Sequence, residues 1–445
     1  MLGGKIMSYS VPNTLEALKM QCDDAGVCLP FSEDVSALAA PLKILDKTVH
    51  NRLVYQAMEG CDGTLDGVPD ELTLRRYMRF AEGGAGIIWF EATAVTEDGR
   101  ANPRQMYINE RNLDAFKDIV VRIKETCLKA NGFEPVVICQ LTHSGRYSKP
   151  HGTPEPLIAY NNPVFEKDNP IDKSRILSDE RLDEICEALI NGARLAERAG
   201  FDGADIKCCH RYLLCELLSA FTRENSRYGG SFENRTRLIR TAAEGALAGK
   251  GKGFIITTRM NAYDGFEYPY GFGVNEGQGI KPDFTEAKML CGELVRLGMP
   301  LINITMGNPY VNPHVNRPFA RGTYEHPEAP IAGVARMLDG IAEVAASIKG
   351  TPVISSGLSY LGSTSANVTA AYIKEGKFEF AGYGRETLAY PGLANDICKN
   401  GGLDPKKVCI ACGKCSEIMR KPGGTPGCVI RDGEVYAPLY KKYCM

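Results

Sequence analysis

The chain of 445 residues is short of several things. It holds one tryptophan, Trp89, and six histidines. It carries almost no net charge, since 52 basic and 54 acidic side chains leave −2. That balance gives no electrostatic case for nucleic acid or for an anionic membrane surface. No apolar run of about eighteen residues occurs, so no membrane-spanning helix is expected. The opening stretch MLGGKIMSYSVPNTLEALKM has no apolar core followed by a small-residue cleavage site, so it does not read as a secretory signal. No G-x-G-x-x-G follows a strand-like run, so a nucleotide-binding domain of that kind is not expected.

What is there suits an ordinary globular protein, with 44% hydrophobic and 24% charged residues. The length suggests two or three domains, or one large α/β barrel with additions. Sixteen cysteines is a high count. In a large chain without a secretory signal they read as buried thiols, reactive groups or metal ligands rather than as disulfides. Scattered ones, such as Cys22, Cys127, Cys186 and Cys291, are expected to be small buried hydrophobes. A reducing, anaerobic cytoplasm suits this load of thiols.

Eight short apolar runs recur: 53–58, 86–92, 135–141, 201–207, 253–259, 301–306, 352–356 and 378–384. Near-continuous apolar strands indicate burial on both faces, as in a parallel sheet. Amphipathic stretches lie between them. In 178–200, Leu182, Ile185, Cys186, Leu189 and Ile190 share one face and Gly200 supplies the stop. Eight strand–helix units predict a (β/α)8 TIM barrel over 41–400, preceded by a helical extension over 1–40 and followed by a cysteine-bearing segment over 401–445. The stretch 307–330 is rich in proline and has no period, so it is expected to be a lid or binding loop.

Such barrels build their sites at the C-terminal ends of the strands. After the fourth run come Lys207, His210 and Tyr212. A cation, an imidazole and a phenol there can hold a carbonyl oxygen and deliver a proton. Three such residues also fall this close by chance, so the pattern alone leaves the matter open. The final segment reads CIACGKCSEIMRKPGGTPGC, with Cys409, Cys412, Cys415 and Cys428 in a C-x2-C-x2-C-x12-C pattern. It is not the paired motif of a zinc ribbon. Three tightly spaced cysteines suit a cubane cluster, yet spacing leaves iron–sulfur and zinc both open.

Several stretches resemble the Old Yellow Enzyme family of FMN-dependent oxidoreductases. They are NRLVYQAM (51–58), GGAGIIWFEATAVTEDGR (83–100), QLTHSGRYS (140–148), GFDGADIKCCHRYLL with NSRYGGSFENRTR (225–237), SSGL (355–358) and GYGRETLAYP (382–391). The resemblance runs in order over roughly 40–400. It is greatest to the long members with a cysteine cluster after the barrel, which include dienoyl-CoA reductases, bile-acid and steroid ene-reductases and trimethylamine-type dehydrogenases.

The resemblance implies bound FMN. Gln140 resembles the residue that bonds the flavin pyrimidine, and Arg259 the basic residue beside its N1 and O2. Thr93, Ser356, Gly357, Gly384 and Arg385 fall among the cofactor contacts, with Gly357, Gly384 and Arg385 as the phosphate grip. Ala57, Met58 and Glu59 fall beside the ring. Ala57 stands where proline is common, and Glu59 where a small Cys or Thr is common, so Glu59 is expected to point away or be neutral. Tyr212 resembles the proton donor, and Lys207 and His210 the carbonyl-binding pair. Lys207 replaces the usual histidine and disfavours a cationic amine substrate. Cys61 is out of register for a covalent flavin, so none is expected. The four cysteines would hold a [4Fe–4S] cluster, and the lid residues Tyr310, His314, Arg317 and Arg321 would select the substrate.

The resemblance therefore implies an ene-reductase acting on an unsaturated carbonyl compound. Seventeen residues follow Cys428, which implies that a separate ferredoxin or flavoprotein supplies electrons through the cluster. NAD(P)H as a direct donor is the competing route, and a homo-oligomer is left open. The rivals are an amine dehydrogenase, which one tryptophan disfavours, and an electron-transfer subunit.

Overall fold

The computed structural model describes residues 9–321 and 324–445. A small antiparallel hairpin comes first, β1 (Leu42–Ile44) and β2 (Lys47–Val49). Eight parallel strands follow: β3 (Leu53–Tyr55), β4 (Ile87–Ala94), β5 (Val136–Thr142), β6 (Gly203–Ile206), β7 (Ile255–Tyr263), β8 (Ile302–Met306), β9 (Val353–Ile354) and β10 (Ala381–Tyr383). Each falls inside or beside one of the eight apolar runs. They pair in the order β10-β3-β4-β5-β6-β7-β8-β9, and a parallel bridge between Ile354 and Phe380 joins the two ends. The result is a (β/α)8 barrel.

The strand residues are buried without exception from β3 onward. That is why the runs lack alternation: one face packs inside the barrel and the other against helices. The hairpin was not foreseen, because strands of three residues carry no readable period. Its buried Ile44 and Val49 pack with Val54, Ile87, Trp89, Val136, Ile255 and Leu301, so it plugs the N-terminal mouth. The opposite mouth is left for chemistry.

The helix Asp179–Arg198 shows how the outer layer forms. The Ser178 hydroxyl accepts from Arg181 N at 3.2 Å as its N-cap. Leu182, Ile185, Leu189 and Ile190 are buried, each stabilising by about 1.5–3 kcal/mol. Gly200 takes the left-handed turn beyond it, at φ 85°.

Residues 1–8 of the expected N-terminal extension lie outside those described; the rest holds the α-helix Leu15–Ala25 and the 3-10 turn Ser36–Ala39. It rests beside the barrel, where the Tyr360 hydroxyl donates to Gln21 Oε1 at 3.0 Å and Ser363 Oγ donates to Asn13 O at 3.0 Å. Among the described residues no helix is long and apolar enough to cross a membrane.

The C-terminal segment folds back on the barrel as two helices, Lys414–Met419 and Gly433–Cys444. Its anchor is a buried cluster. Arg76 pairs with Asp62 at 2.6 Å and with Glu91 at 2.7 Å, and the Thr425 hydroxyl donates to Asp62 at 2.6 Å. Farther out, Arg75 forks onto Asp432 at 2.7 and 2.9 Å. Gly60 lies under this cluster, and a Cβ there would fall 1.2 Å from Glu91 Oε2.

Candidate active site

The C-terminal mouth of the barrel opens into a cavity enclosing about 1010 Å³, counting its open part. Ala57, Met58, Glu59, Gln140, Lys207, His210, Tyr212, Arg259, Gly357, Gly384 and Arg385 all line it. Sequence positions more than three hundred residues apart thus meet in one place. Pro309, Tyr310, Asn316 and Arg317 from the expected lid, and Cys415, Ser416, Met419 and Arg420 from the cysteine segment, complete the wall.

The floor is organised by Asp205, which the sequence reading passed over. Its carboxylate is fully buried and accepts three hydrogen bonds. Trp89 Nε1 donates at 2.8 Å and Gln140 Nε2 at 2.7 Å to Oδ2, and the Arg259 backbone N–H donates at 2.7 Å to Oδ1. Burial raises its pKa despite those donors. Asp205 therefore sets the direction of Gln140 and of the strand that carries Arg259. The readable signal was an acid inside an otherwise apolar run.

Arg259 donates to Ala57 O at 3.1 Å and to Ser356 Oγ at 3.4 Å, while its Nε has no partner. Arg385 Nη1 is likewise buried without a partner. Unpaired guanidinium N–H groups facing a cavity are donors without acceptors. Gly357 sits at φ 86°, and a Cβ at Gly384 would meet nothing within 4 Å. This rim therefore fits an anionic, hydrogen-bonding ligand such as FMN: Gln140 and Arg259 at the ring, Arg385 and the two glycines at the phosphate.

Above the floor is a tight polar trio. The Tyr212 hydroxyl donates to Glu59 Oε2 at 2.7 Å, and Lys207 Nζ lies 3.3 Å from the same oxygen. Gln105 Nε2 donates to Glu59 Oε1 at 2.9 Å. Lys207 Nζ also sits 3.4 Å from the centroid of the Tyr212 ring, and the Tyr310 hydroxyl lies 2.9 Å from that of Tyr212. Burial, then the Glu59 charge, push the Tyr212 hydroxyl well above its ordinary range. Burial, then Arg259 and Lys207, hold His210 well below its ordinary value, so its imidazole is neutral.

The backbone reaches this arrangement through two consecutive left-handed residues, His210 at φ 61° and Arg211 at φ 62°. Such conformations in non-glycine residues cost about 1–3 kcal/mol each. The turn is held by Asn261 and Asp264. Asn261 Oδ1 accepts from His210 N at 3.1 Å, and the buried Arg211–Asp264 pair closes at 2.8 Å.

Thr93 does not line the cavity. A bulge between Phe90 and Ala92 shifts the register, so Thr93 pairs with outward-facing Leu141 and its hydroxyl donates to Glu91 O at 3.0 Å. Ser356 is not among the lining residues either; its Oγ accepts from Arg259 Nη2 at 3.4 Å. Glu59 does not point away: it lines the cavity, with Lys207 and the Tyr212 hydroxyl on its Oε2. Of the four lid residues, Tyr310 and Arg317 line the cavity, whereas His314 bonds Tyr324 and Arg321 is exposed.

Cys409, Cys412, Cys415 and Cys428 line a second, smaller cavity together with Arg385. Among the described residues no three His, Cys, Asp or Glu side chains lie close enough to hold one metal ion. The four sulfurs nevertheless share the lining of that one cavity. The backbone turns left-handed at Ala411 (φ 51°) and Gly413 (φ 78°). N–H groups of Ala411 and Arg431 point at the sulfurs of Cys409 and Cys428, at 3.4 and 3.3 Å. Such donors suit thiolate ligands.

Comparison with known proteins agrees with this geometry. The model of the NADH:flavin oxidoreductase / NADH oxidase family matches residues 37–276, more than half of the chain. An NADPH dehydrogenase of Geobacillus sp. (strain WCH70) is 34% identical over 206 residues, 45% of this chain and 57% of the relative. A metal reductase of Desulforamulus reducens is 24% identical over 383 residues, 85% of this chain and 51% of the relative. This chain spans about half to two-thirds of the length of the curated relatives it matches. Among solved structures, a 2-naphthoyl-CoA reductase complex superposes with a TM-score of 0.69 at 20% identity, covering 86% of this chain and 55% of that one. The Old Yellow Enzyme homologue of Zymomonas mobilis superposes at 0.60 and 20% identity, covering 82% and 94%. At such identities these likenesses show the shared barrel fold. The chain belongs to the NADH:flavin oxidoreductase / NADH oxidase family.

Proposed function

We propose that the chain is an FMN-dependent ene-reductase, which saturates the C=C bond of an α,β-unsaturated carbonyl compound. The observation that carries this reading is one cavity wall shared by the flavin-compatible rim (Gln140, Arg259, Gly384, Arg385) and the side chains Lys207, His210 and Tyr212. Bound flavin would supply the hydride to the β-carbon. Lys207 and neutral His210 hold the carbonyl oxygen and stabilise the negative charge that develops there. Tyr212, protonated across the working pH range, delivers the proton to the α-carbon. Glu59 accepts the Tyr212 hydrogen bond and pairs with Lys207, which keeps both side chains in register.

The cysteine segment is read as the holder of a [4Fe–4S] cluster. Cys415 lines both the cluster cavity and the main cavity, which supports a route between the two groups. Loaded, the cluster would bring single electrons from a ferredoxin or flavoprotein partner; NAD(P)H is the alternative reductant.

The test compares wild type with Tyr212→Phe in separated half-reactions. The substitution should slow reoxidation of the reduced flavin by 2-cyclohexenone or cinnamaldehyde by about 100-fold or more, and leave reduction by dithionite unchanged. Equal reoxidation rates would remove Tyr212 as the proton donor and with it this mechanism.

A further inference from the structure

Five cationic side chains line the main cavity: Lys207, Arg259, Arg317, Arg385 and Arg420. Only Lys207 has an acidic partner among the described residues, Glu59 at 3.3 Å. On the functional reading above, Arg259 and Arg385 face the flavin ring and phosphate. That leaves Arg317 and Arg420 with no carboxylate or phosphate partner among the described residues; the nearby Cys415 sulfur is assigned to the cysteine segment's own site.

The two are close together. Arg317 Nη2 and Arg420 Nη2 both approach Pro309 O, at 3.4 and 2.6 Å. Guanidinium groups sharing one carbonyl repel each other unless an anion lies between them. Arg317 is half-buried in the wall and Arg420 stands at the rim. Arg420 also stacks 5.0 Å from the Tyr310 ring, whose hydroxyl lies 2.9 Å from that of Tyr212. An anion held here is one phenol ring away from the proton donor, within reach of a single aryl or short acyl substrate.

We infer that Arg317 and Arg420 form a carboxylate-binding subsite, and that the substrate carries a carboxylate apart from the carbonyl held by Lys207 and His210. The guanidinium fork matches a planar carboxylate. Because Arg420 follows directly on the helix that carries Cys415, the cysteine segment supplies part of substrate recognition. This inference rests on the ene-reductase reading.

The test uses the FMN-loaded, full-length protein and matched pairs: 4-carboxycinnamaldehyde and 3-benzoylacrylate, each with its methyl ester. Binding to the oxidised enzyme is read from the flavin difference spectrum, which needs no turnover. The acids should bind at least tenfold tighter than their esters. In Arg317→Ala and in Arg420→Ala that preference should fall to within threefold of unity, and Arg420→Lys should recover part of it. FMN content should be retained in each variant. Three results would overturn the subsite: equal binding of acid and ester to wild type, a preference that survives both variants, or loss of FMN from Arg317→Ala, which would give that guanidinium to the cofactor phosphate. A selective loss of NADPH over NADH use would also overturn it, by assigning the arginines to the nucleotide. If acids bind as expected and no alkene is reduced, the ene-reductase reading alone fails.

Discussion

The hydroxyl of Tyr212 donates to Glu59 Oε2 at 2.7 Å, so the proposed proton donor rests on a carboxylate. The same oxygen meets Lys207 at 3.3 Å, so the Glu59 and Lys207 charges offset each other before substrate arrives. In the proposed reaction the α-carbon would take the phenol's proton against the pull of this hydrogen bond to Glu59. A carboxylate beside a phenol also favours the protonated phenol, which is the form that the proposed reaction needs.

Glu59→Gln should therefore change the pH profile more than the rate. Burial raises the Tyr212 pKa first and the Glu59 charge second. Removing the charge lowers that pKa, so the alkaline limb of flavin reoxidation by an enone moves to lower pH. Stopped-flow rates between about pH 7 and 10.5 read the shift, and an unmoved limb would show that Glu59 does not act on Tyr212.

His210 should act as a neutral donor. Its pKa is held far below 6.5 by burial and by nearby cations, so no rate transition between pH 5.5 and 8 belongs to it. His210→Asn, which keeps a neutral N–H donor, should stay within about tenfold of wild type, whereas His210→Ala loses about 100-fold or more. Similar losses in both would contradict the neutral-donor role.

Asp205 should matter to stability and to the flavin together. Asp205→Leu strands Trp89 Nε1, Gln140 Nε2 and the Arg259 N–H without an acceptor. Unsatisfied buried donors cost about 1–3 kcal/mol each. The denaturation midpoint should fall at an unchanged slope, and the FMN dissociation constant should rise at least tenfold. A variant that keeps FMN at wild-type affinity would separate Asp205 from the cofactor rim.

Arg76 should hold the cysteine segment to the barrel. Arg76→Ala leaves Asp62 and Glu91 buried without a cation, a change that costs about 3–5 kcal/mol. Limited proteolysis should then cut within 409–428 while the barrel survives. Iron and acid-labile sulfide, expected at about four of each per chain in wild type, should be lost from Arg76→Ala. Stoichiometric zinc in the wild-type protein would instead assign the cysteines to a structural ion.

The eight strands could be read because burial on both faces leaves uninterrupted runs such as 135–141. The hairpin Leu42–Val49 could not, since three-residue strands show no period. Lys207, His210 and Tyr212 stand together in the sequence, so their cluster was visible. Their partner Glu59 lies 148 residues from Lys207, and nothing in a linear pattern announces such a pairing. The same holds for Asp62 with Thr425 and Arg75 with Asp432, contacts that bring the cysteine segment to the cavity. Thr93 was misplaced because one bulge reverses which side chains face inward, and a bulge leaves no mark in composition.

The most direct measurement is to purify the protein without oxygen, reduce its flavin, and follow absorbance as enones, enoates, enals and enoyl thioesters are added. The account predicts rapid reoxidation by at least one activated alkene, with the saturated product formed one for one with flavin oxidised. Reduced flavin that persists with every alkene, together with bleaching of the oxidised form by amines, would contradict it.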